Sequence, residues 1–165
     1  TLLVVPSTGD EWRESVASPI LYAAKDMFTE LRERARRAEH ETATKRHRTS
    51  LARSVDAVAG LTAVDGATII TDALDVVGFG AKIIRRKGQT VVESVLVSEP
   101  VEGNCATEEP PSALGGTRHL SAAQFVHDQR NAVAMVASQD GRFTIFEWSE
   151  RDGLVHAQRI DALLL

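Results

Sequence analysis

Apolar and polar residues follow a helical or strand-like spacing in separate parts of the chain. Residues 2–5 are apolar and are followed by a proline, which is typical of a short buried strand. Residues 18–31 begin with Ser-Pro and then repeat apolar side chains at three- and four-residue steps, which predicts an amphipathic helix. An apolar stripe of the same spacing predicts a second helix over residues 50–61, capped by Ser50.

Beyond residue 66 the pattern changes to short apolar runs separated by turn residues, which predicts strands. Asp-Gly turns lie on either side of residues 142–148 and predict an antiparallel end of the sheet. A short helix is predicted at residues 120–128. The predicted strands of this part are residues 67–71, 76–84, 90–98, 132–138, 142–148 and 154–160. Residues 1–165 are therefore predicted to form a single α/β (α+β) domain with a mixed, largely antiparallel central sheet flanked by helices.

Residues 99–116 form the longest stretch for which no element is predicted. Three prolines and several glycines interrupt it, and a loop of this size in a compact domain is usually functional or disordered. Because it leads directly into the glycine pair at residues 115–116, we interpret it as a lid over a site at that position.

The composition excludes some classes of function. A chain of 165 residues suffices for one domain with its own core, and a net charge of −4 argues against general affinity for nucleic acid. The single Cys105 excludes an internal disulfide, so a reducing, cytoplasmic setting is expected. No apolar run approaches the length of a membrane span. Thr1 is not a Met, so we expect this domain to be one part of a longer protein.

Two local clusters of basic residues each have two interpretations, although the net charge of the chain is negative. Residues 32–48 contain seven Lys and Arg residues, which suits an anionic partner, but interleaved Glu residues favour a solvated helical face. The cluster of Lys82, Arg85, Arg86 and Lys87 ends a predicted strand. It suits the phosphates of a larger ligand, or alternatively keeps a strand edge soluble.

The segment Gly115–Ala123 carries the strongest indication of function. Its glycine pair lets main-chain N–H groups approach a ligand, and Thr117, Arg118 and His119 follow at the start of a helix. A helix N-terminus with an arginine beside it is a binding site for anions, and phosphate is the usual one.

A second motif, Asp65-Gly66-Ala67, lies upstream at the start of an apolar run. The two motifs in this order resemble those of the diadenylate cyclase (DAC, DisA-N type) domains, which carry a DGA motif on an early strand and G-T-R-H-R at a helix start. The resemblance covers residues 63–148, with residues 1–6 as the opening strand. It implies a DAC-like fold, a nucleotide pocket, and a homodimer in which catalytic members hold ATP face to face.

Two departures from the family pattern bear on activity. Leu120 replaces the second Arg of the family's R-H-R triplet, and Gln139 replaces a Glu. Because the lost guanidinium belongs to the catalytic signature, the resemblance is closer to the family's predicted sensor branch, DACNV. Nucleotide binding without turnover is therefore the first hypothesis.

The resemblance also implies a set of site residues. Asp65 and His119 correspond to the metal-holding pair of the family, which implies Mg²⁺ or Mn²⁺ with the bound nucleotide. Each position also has a structural interpretation, such as a turn carboxylate, a core strand residue or a helix cap. The implied nucleotide-binding residues are Asp65, Gly66, Ala67, Ile83, Gly116, Thr117, Arg118, His119, Ser121 and Ser138.

Three hypotheses about function follow. The first is a sensor domain that binds a nucleotide or cyclic dinucleotide and signals to an effector domain of the same protein. The second is an active diadenylate cyclase that forms cyclic di-AMP from two ATP. The third is a ligand-free scaffold for oligomerisation.

Overall fold

The computed structural model describes residues 1–21, 55–100, 105–138 and 141–160. Two α-helices lie in this part of the chain: α1 (residues 55–62) and α2 (Thr117–Asp128). Short 3-10 helices cover Glu11–Ser15 and Pro111–Ala113. The strands are β1 (Leu2–Val5), β2 (Val16–Ala17), β3 (Ile20–Leu21), β4 (Ala67–Thr71), β5 (Val76–Ile83), β6 (Val95–Ser98), β7 (Thr107–Glu109), β8 (Val133–Ala137), β9 (Phe143–Ser149) and β10 (Leu154–Arg159).

All ten strands join one mixed sheet in the order β2-β5-β4-β1-β8-β9-β10-β6-β7, with β3 also paired to β5. Two of the pairings, β1 with β4 and β10 with β6, are parallel. The other pairings are antiparallel. The predicted α/β class with a mixed, largely antiparallel sheet is confirmed.

The main core lies between α2 and one face of the sheet. Alternate side chains of a strand point to opposite faces, and the inward positions of β1, of β8 and of the first half of β9 are buried. Phe125 of α2 and Phe146 of β9 are the largest fully buried side chains in this core, and both are 0% exposed. The apolar face of α2 therefore fixes the helix on the sheet, and its first turn lies where the site was predicted.

Buried polar contacts hold the other end of α2. The side-chain amide of Gln129 donates to Ser15 Oγ at 2.9 Å, inside the core. The carboxylate of Asp128 accepts hydrogen bonds from the backbone N–H of Arg86 and from the side chain of Gln124, both at 2.7 Å. Since a buried polar group is costly unless it is paired, these contacts restrict the position of the helix.

The helix predicted at residues 18–31 is wrong at its start. Residues 16–17 and 20–21 are instead strands on β5, with Ile20 opposite Phe79. Ser18 between them has a positive φ of 51°. Backbone pairing with a distant strand outweighs the local signal of Pro at a helix start. The rest of that predicted helix, the polar residues 32–48 and residues 50–54 of the second helix lie outside the described residues.

Other predicted boundaries change for identifiable reasons. The strand predicted at residues 90–98 begins only at Val95, because the side chain of Gln124 bonds Val92 N–H and the Thr90 carbonyl instead. The predicted loop at 99–116 contains β7 and a 3-10 helix, and its residues 101–104 lie outside the described part. Helix α2 begins three residues earlier than predicted. The β4–β5 hairpin and the antiparallel strands β8, β9 and β10 are confirmed.

Among the described residues, no helix is long and apolar enough to cross a bilayer.

Candidate functional site

The Gly115-Gly116 turn sets the start of α2. Gly115 has φ +154°, and a Cβ at this position would lie 2.6 Å from Nδ1 of His119, so a side chain here would need the imidazole to move. Gly116 is the N-cap residue. No side chain caps the helix, and no acidic residue lies in its first turn. The N–H groups of Thr117 and Arg118 precede the first helical hydrogen bond, from His119 N–H to the Gly116 carbonyl at 3.0 Å. Positive potential is therefore left at this end of the helix.

His119 is part of the protein interior. It is only 3% exposed, and its ring lies edge-on to Phe146 with the centroids 6.2 Å apart. Its neighbours in the first turn of α2, Thr117 and Arg118, are exposed. The imidazole thus supports the glycine turn from beneath, while the hydroxyl and the guanidinium point towards solvent-accessible space.

A cavity of about 370 Å³ opens above this turn, and we call it the His119 pocket. The helix start forms one wall and the end of β8 with the start of β9 forms the other. Two arginines line it, and no Asp or Glu is among the described lining residues. The lining residues are Leu114, Gly115, Gly116, Thr117, Arg118, His119, Val136, Ser138 and Arg142.

A second cavity of about 320 Å³, the Asp65 pocket, lies beside the first. The start of β4 and the end of β5 form its floor, where Gly66 lies in close contact with the backbone of Gly80. Ile83, Ala67 and Ala81 give it an apolar surface, while Asp65 and Lys82 are exposed at its edge. The lining residues are Thr1, Asp65, Gly66, Ala67, Gly80, Ala81, Lys82, Ile83, Thr117, Arg118 and Ser121.

The ten residues predicted from the sequence all line one or both of these cavities. Thr117 and Arg118 line both, so the two pockets adjoin along the first turn of α2. Arg118 also lies close to the start of β1. Burial lowers the pKa of the Thr1 amino group, and the positive charge of Arg118 lowers it further. The structure brings two distant sequence motifs to one surface.

Two residues change the predicted picture of the site. Arg142 was not identified from the sequence, since it belongs to no motif and follows a turn. Its carbonyl accepts a hydrogen bond from Ser138 N–H at 2.8 Å, so the ends of β8 and β9 place it in the His119 pocket. Leu120, by contrast, is 40% exposed and is not among the described residues that line either pocket. Gln139 lies outside the described residues.

The predicted metal site has an incomplete donor set in the described part of the chain. No group of three or more His, Cys, Asp and Glu residues there is arranged to hold a metal ion. Asp65 and His119 line different pockets, and His119 is buried. These residues alone do not fit a resident metal ion. A cation that arrives with the phosphates of a nucleotide stays a prediction.

A third cavity, of about 440 Å³, lies on the opposite face of the sheet. Met135, Ala137 and Phe143 line it, and these residues alternate along their strands with core residues of the α2 side. None of its described lining residues has a charged side chain. A phosphate would meet no guanidinium among these described residues, so this cavity suits it less than the two pockets at α2.

The chain was compared with protein-family models, curated proteins and solved structures. None of them matches this chain.

Proposed function

We propose that this chain is a nucleotide-binding sensor domain whose ligand occupies the two adjoining pockets at the start of α2. One observation carries the proposal: the Asp65-Gly66-Ala67 and Gly-Thr-Arg-His motifs, about 50 residues apart in the sequence, line cavities that share Thr117 and Arg118. Folding alone does not require a carboxylate, a hydroxyl and a guanidinium at the same surface.

The two pockets offer different chemistry. The His119 pocket combines Arg118, two hydroxyl side chains and an uncapped helix N-terminus, which are donors that suit phosphate oxygens. The Asp65 pocket has an apolar floor at Ile83 and a carboxylate at its edge, which suit the flat face of a base and the donor groups of a base or ribose. In this arrangement the phosphates lie over the helix start and the nucleoside lies over the β4–β5 hairpin.

Binding without turnover is the part of the proposal that rests on Leu120. Phosphoryl transfer requires cationic groups that stabilise charge developing in the transition state. An isobutyl side chain at position 120 supplies no hydrogen-bond donor, and it projects outside both pockets. Occupancy of the pockets is then a signal rather than a step in a reaction, and we propose an effector domain of the same protein, in the cytoplasm, as its receiver.

Incubation with ATP separates the sensor from a divergent cyclase. We expect the wild-type protein to return ATP unchanged after prolonged incubation with Mn²⁺ or Mg²⁺, as measured by anion-exchange chromatography. Loss of a single transition-state donor costs about 100- to 1,000-fold in rate, so any residual product should be at trace level. A cyclic dinucleotide that accumulates in the wild type and disappears in Asp65→Asn would identify an active cyclase instead.

A further inference from the structure

A polar cluster lies on the face of the sheet that points away from α2. The buried residues of β6 and β10 belong to the core under α2, and they alternate with side chains that point to the opposite face. Ser98 of β6 and His156 of β10 are two of these, and Glu147 of β9 lies opposite His156 in the sheet. The side chain of His156 is 25% exposed and that of Glu147 is 44% exposed, so small molecules can reach the cluster.

Short contacts connect these side chains in a defined order. Ser98 Oγ lies 2.7 Å from His156 Nε2, and the other ring nitrogen, Nδ1, lies 3.8 Å from Glu147 Oε1. The side-chain amide of Gln158 donates to Glu147 Oε1 at 2.5 Å and restricts the carboxylate. A carboxylate beside Nδ1 favours the tautomer with its proton on that nitrogen, so Nε2 accepts a hydrogen bond from the serine hydroxyl.

From this order of groups we propose that Ser98 is the nucleophile of a separate hydrolytic site, with His156 as its general base. A serine hydroxyl becomes a good nucleophile when a base within hydrogen-bond reach takes its proton and a third group orients the base. Glu147 is the orienting group. Its 3.8 Å separation from Nδ1 is longer than a hydrogen bond, but contacts of this kind often shorten only when a substrate binds. The proposal does not depend on nucleotide binding, because these residues are not among the described lining of the pockets at α2.

The surroundings of Ser98 indicate the class of substrate. Leu96 lies on the same face of β6 and Ile145 lies opposite Gln158, and both are half-buried apolar side chains. The carboxylate of Glu147 repels anionic substrates. Gln158 lies opposite Ser98, and its amide has a second N–H, a donor of the kind that stabilises an oxyanion. A small neutral ester with a good leaving group fits these features.

The proposed reaction is the hydrolysis of such an ester in two steps. Ser98 Oγ attacks the carbonyl carbon while His156 Nε2 takes its proton, and this proton passes to the departing alcohol as the C–O bond breaks. Water then attacks the acyl group on Ser98, and His156 takes a proton from the water. The bond from the acyl carbon to Oγ breaks, the carboxylic acid leaves, and the proton returns to Ser98 Oγ.

Phenylmethanesulfonyl fluoride tests the nucleophile, because an activated serine displaces its fluoride and keeps a stable sulfonyl group on Oγ. Mass spectrometry of peptides from the labelled whole chain locates this group, and the rate at saturating reagent measures reactivity. We expect Ser98 to be labelled in the wild type. His156→Gln should lower the labelling rate by at least about 100-fold, the smallest usual effect of a general base.

Glu147→Gln tests the orienting group with the same reagent. We expect the saturating rate to fall by at least about 10-fold, because the amide no longer favours the productive tautomer. The concentration of reagent at half-saturation should change by less than about 3-fold, since Glu147 acts on the imidazole and not on the reagent.

Ser149 is the matched control, because it also points to this face but its hydroxyl donates directly to the Asp152 carboxylate at 2.6 Å. Ser149 should stay unlabelled. Ser98→Ala should hydrolyse p-nitrophenyl acetate at least about 100-fold more slowly than the wild type, and Ser149→Ala at the wild-type rate. An unlabelled Ser98, labelling that is as fast in His156→Gln, or equal hydrolysis by the wild type and Ser98→Ala would overturn the proposal. None of these results would alter nucleotide binding at α2.

Discussion

We expect Gly66→Ala to lower the free energy of unfolding by about 3 kcal/mol, the largest stability effect of any single change considered. Gly66 has φ +111°, and a residue with a side chain held in such a conformation costs about 1–3 kcal/mol. The new Cβ would also lie 2.6 Å from the carbonyl carbon of Gly80 and 2.9 Å from the Ala81 carbonyl oxygen. Both are backbone atoms, so relief requires β4 and β5 to separate, and overpacking of this kind costs about 1–3 kcal/mol.

Thermal unfolding measures this effect directly. For a chain of this size each kcal/mol shifts Tm by about 2–4 °C, so the variant should unfold about 6–12 °C below the wild type. Gly60→Ala is the control, because Gly60 lies in α1 and a Cβ there would meet nothing within 4 Å. Ala is the better helix former, and this variant should be as stable as the wild type or more stable by up to about 1 kcal/mol. Equal Tm values for the two variants would contradict the close contact between Gly66 and the backbone of Gly80 and Ala81.

Arg118→Ala should weaken ATP binding by about 10- to 100-fold. Arg118 is the charged residue that lines both pockets, and hydrogen bonds to charged groups contribute about 1.5–3 kcal/mol each. Its side chain is exposed, so the ligand-free variant should unfold within about 0.5 kcal/mol of the wild type. Calorimetric titration gives the affinity, and denaturation without ligand gives the stability.

A guanidinium at the other end of α2 provides the control for Arg118. Arg130 stacks on the ring of Trp148 at 4.2 Å and lies outside both pockets. Arg130→Ala should therefore keep the wild-type affinity for ATP, even if lost stacking lowers its Tm slightly. Equal affinities for wild type, Arg118→Ala and Arg130→Ala would show that the shared wall of the two pockets does not bind the phosphates.

The elements that could be predicted from the sequence are those whose signals are local. The β4–β5 hairpin follows from two apolar runs around a short turn, and the last three strands follow from their Asp-Gly turns. The helix predicted at residues 18–31 is wrong at its start because the interaction that decides the structure there is not local. Ile20 and Leu21 have a helical spacing with the residues behind them, but their backbone pairs with Phe79 and Gly78, almost 60 residues away. Such a pairing leaves no trace in a local pattern.

The residues of the candidate site were likewise predictable only in part. Glycines and charged residues in two short motifs suffice to select positions that prove to line adjoining cavities. Arg142 could not be found, because only the pairing of β8 with β9 and the packing of α2 bring it opposite Arg118. The location of Leu120 outside the pockets likewise depends on the rotation of α2 about its axis, which the burial of Phe125 and Ala122 fixes.

The glycine of the first motif has two explanations that act together. Its positive φ and the close approach to the backbone of Gly80 and Ala81 require a glycine at position 66 whether or not a ligand binds there. Asp65 is different, since it is exposed at the edge of the pocket and contributes nothing to the core. Of the motif residues, the aspartate is therefore the better indicator of function and the glycine the better indicator of fold.

A thermal-shift titration of the wild-type protein tests whether a nucleotide binds at the start of α2. ATP, GTP, adenosine and cyclic di-AMP would each be added with and without Mn²⁺. A nucleotide at about 100 times its Kd adds about 2.7 kcal/mol of stability, which corresponds to a rise in Tm of about 5–10 °C. We expect such a rise for at least one nucleotide, and a clearly smaller rise in Arg118→Ala at the same concentration. A Tm that none of the ligands changes would contradict it and leave a ligand-free scaffold as the better description.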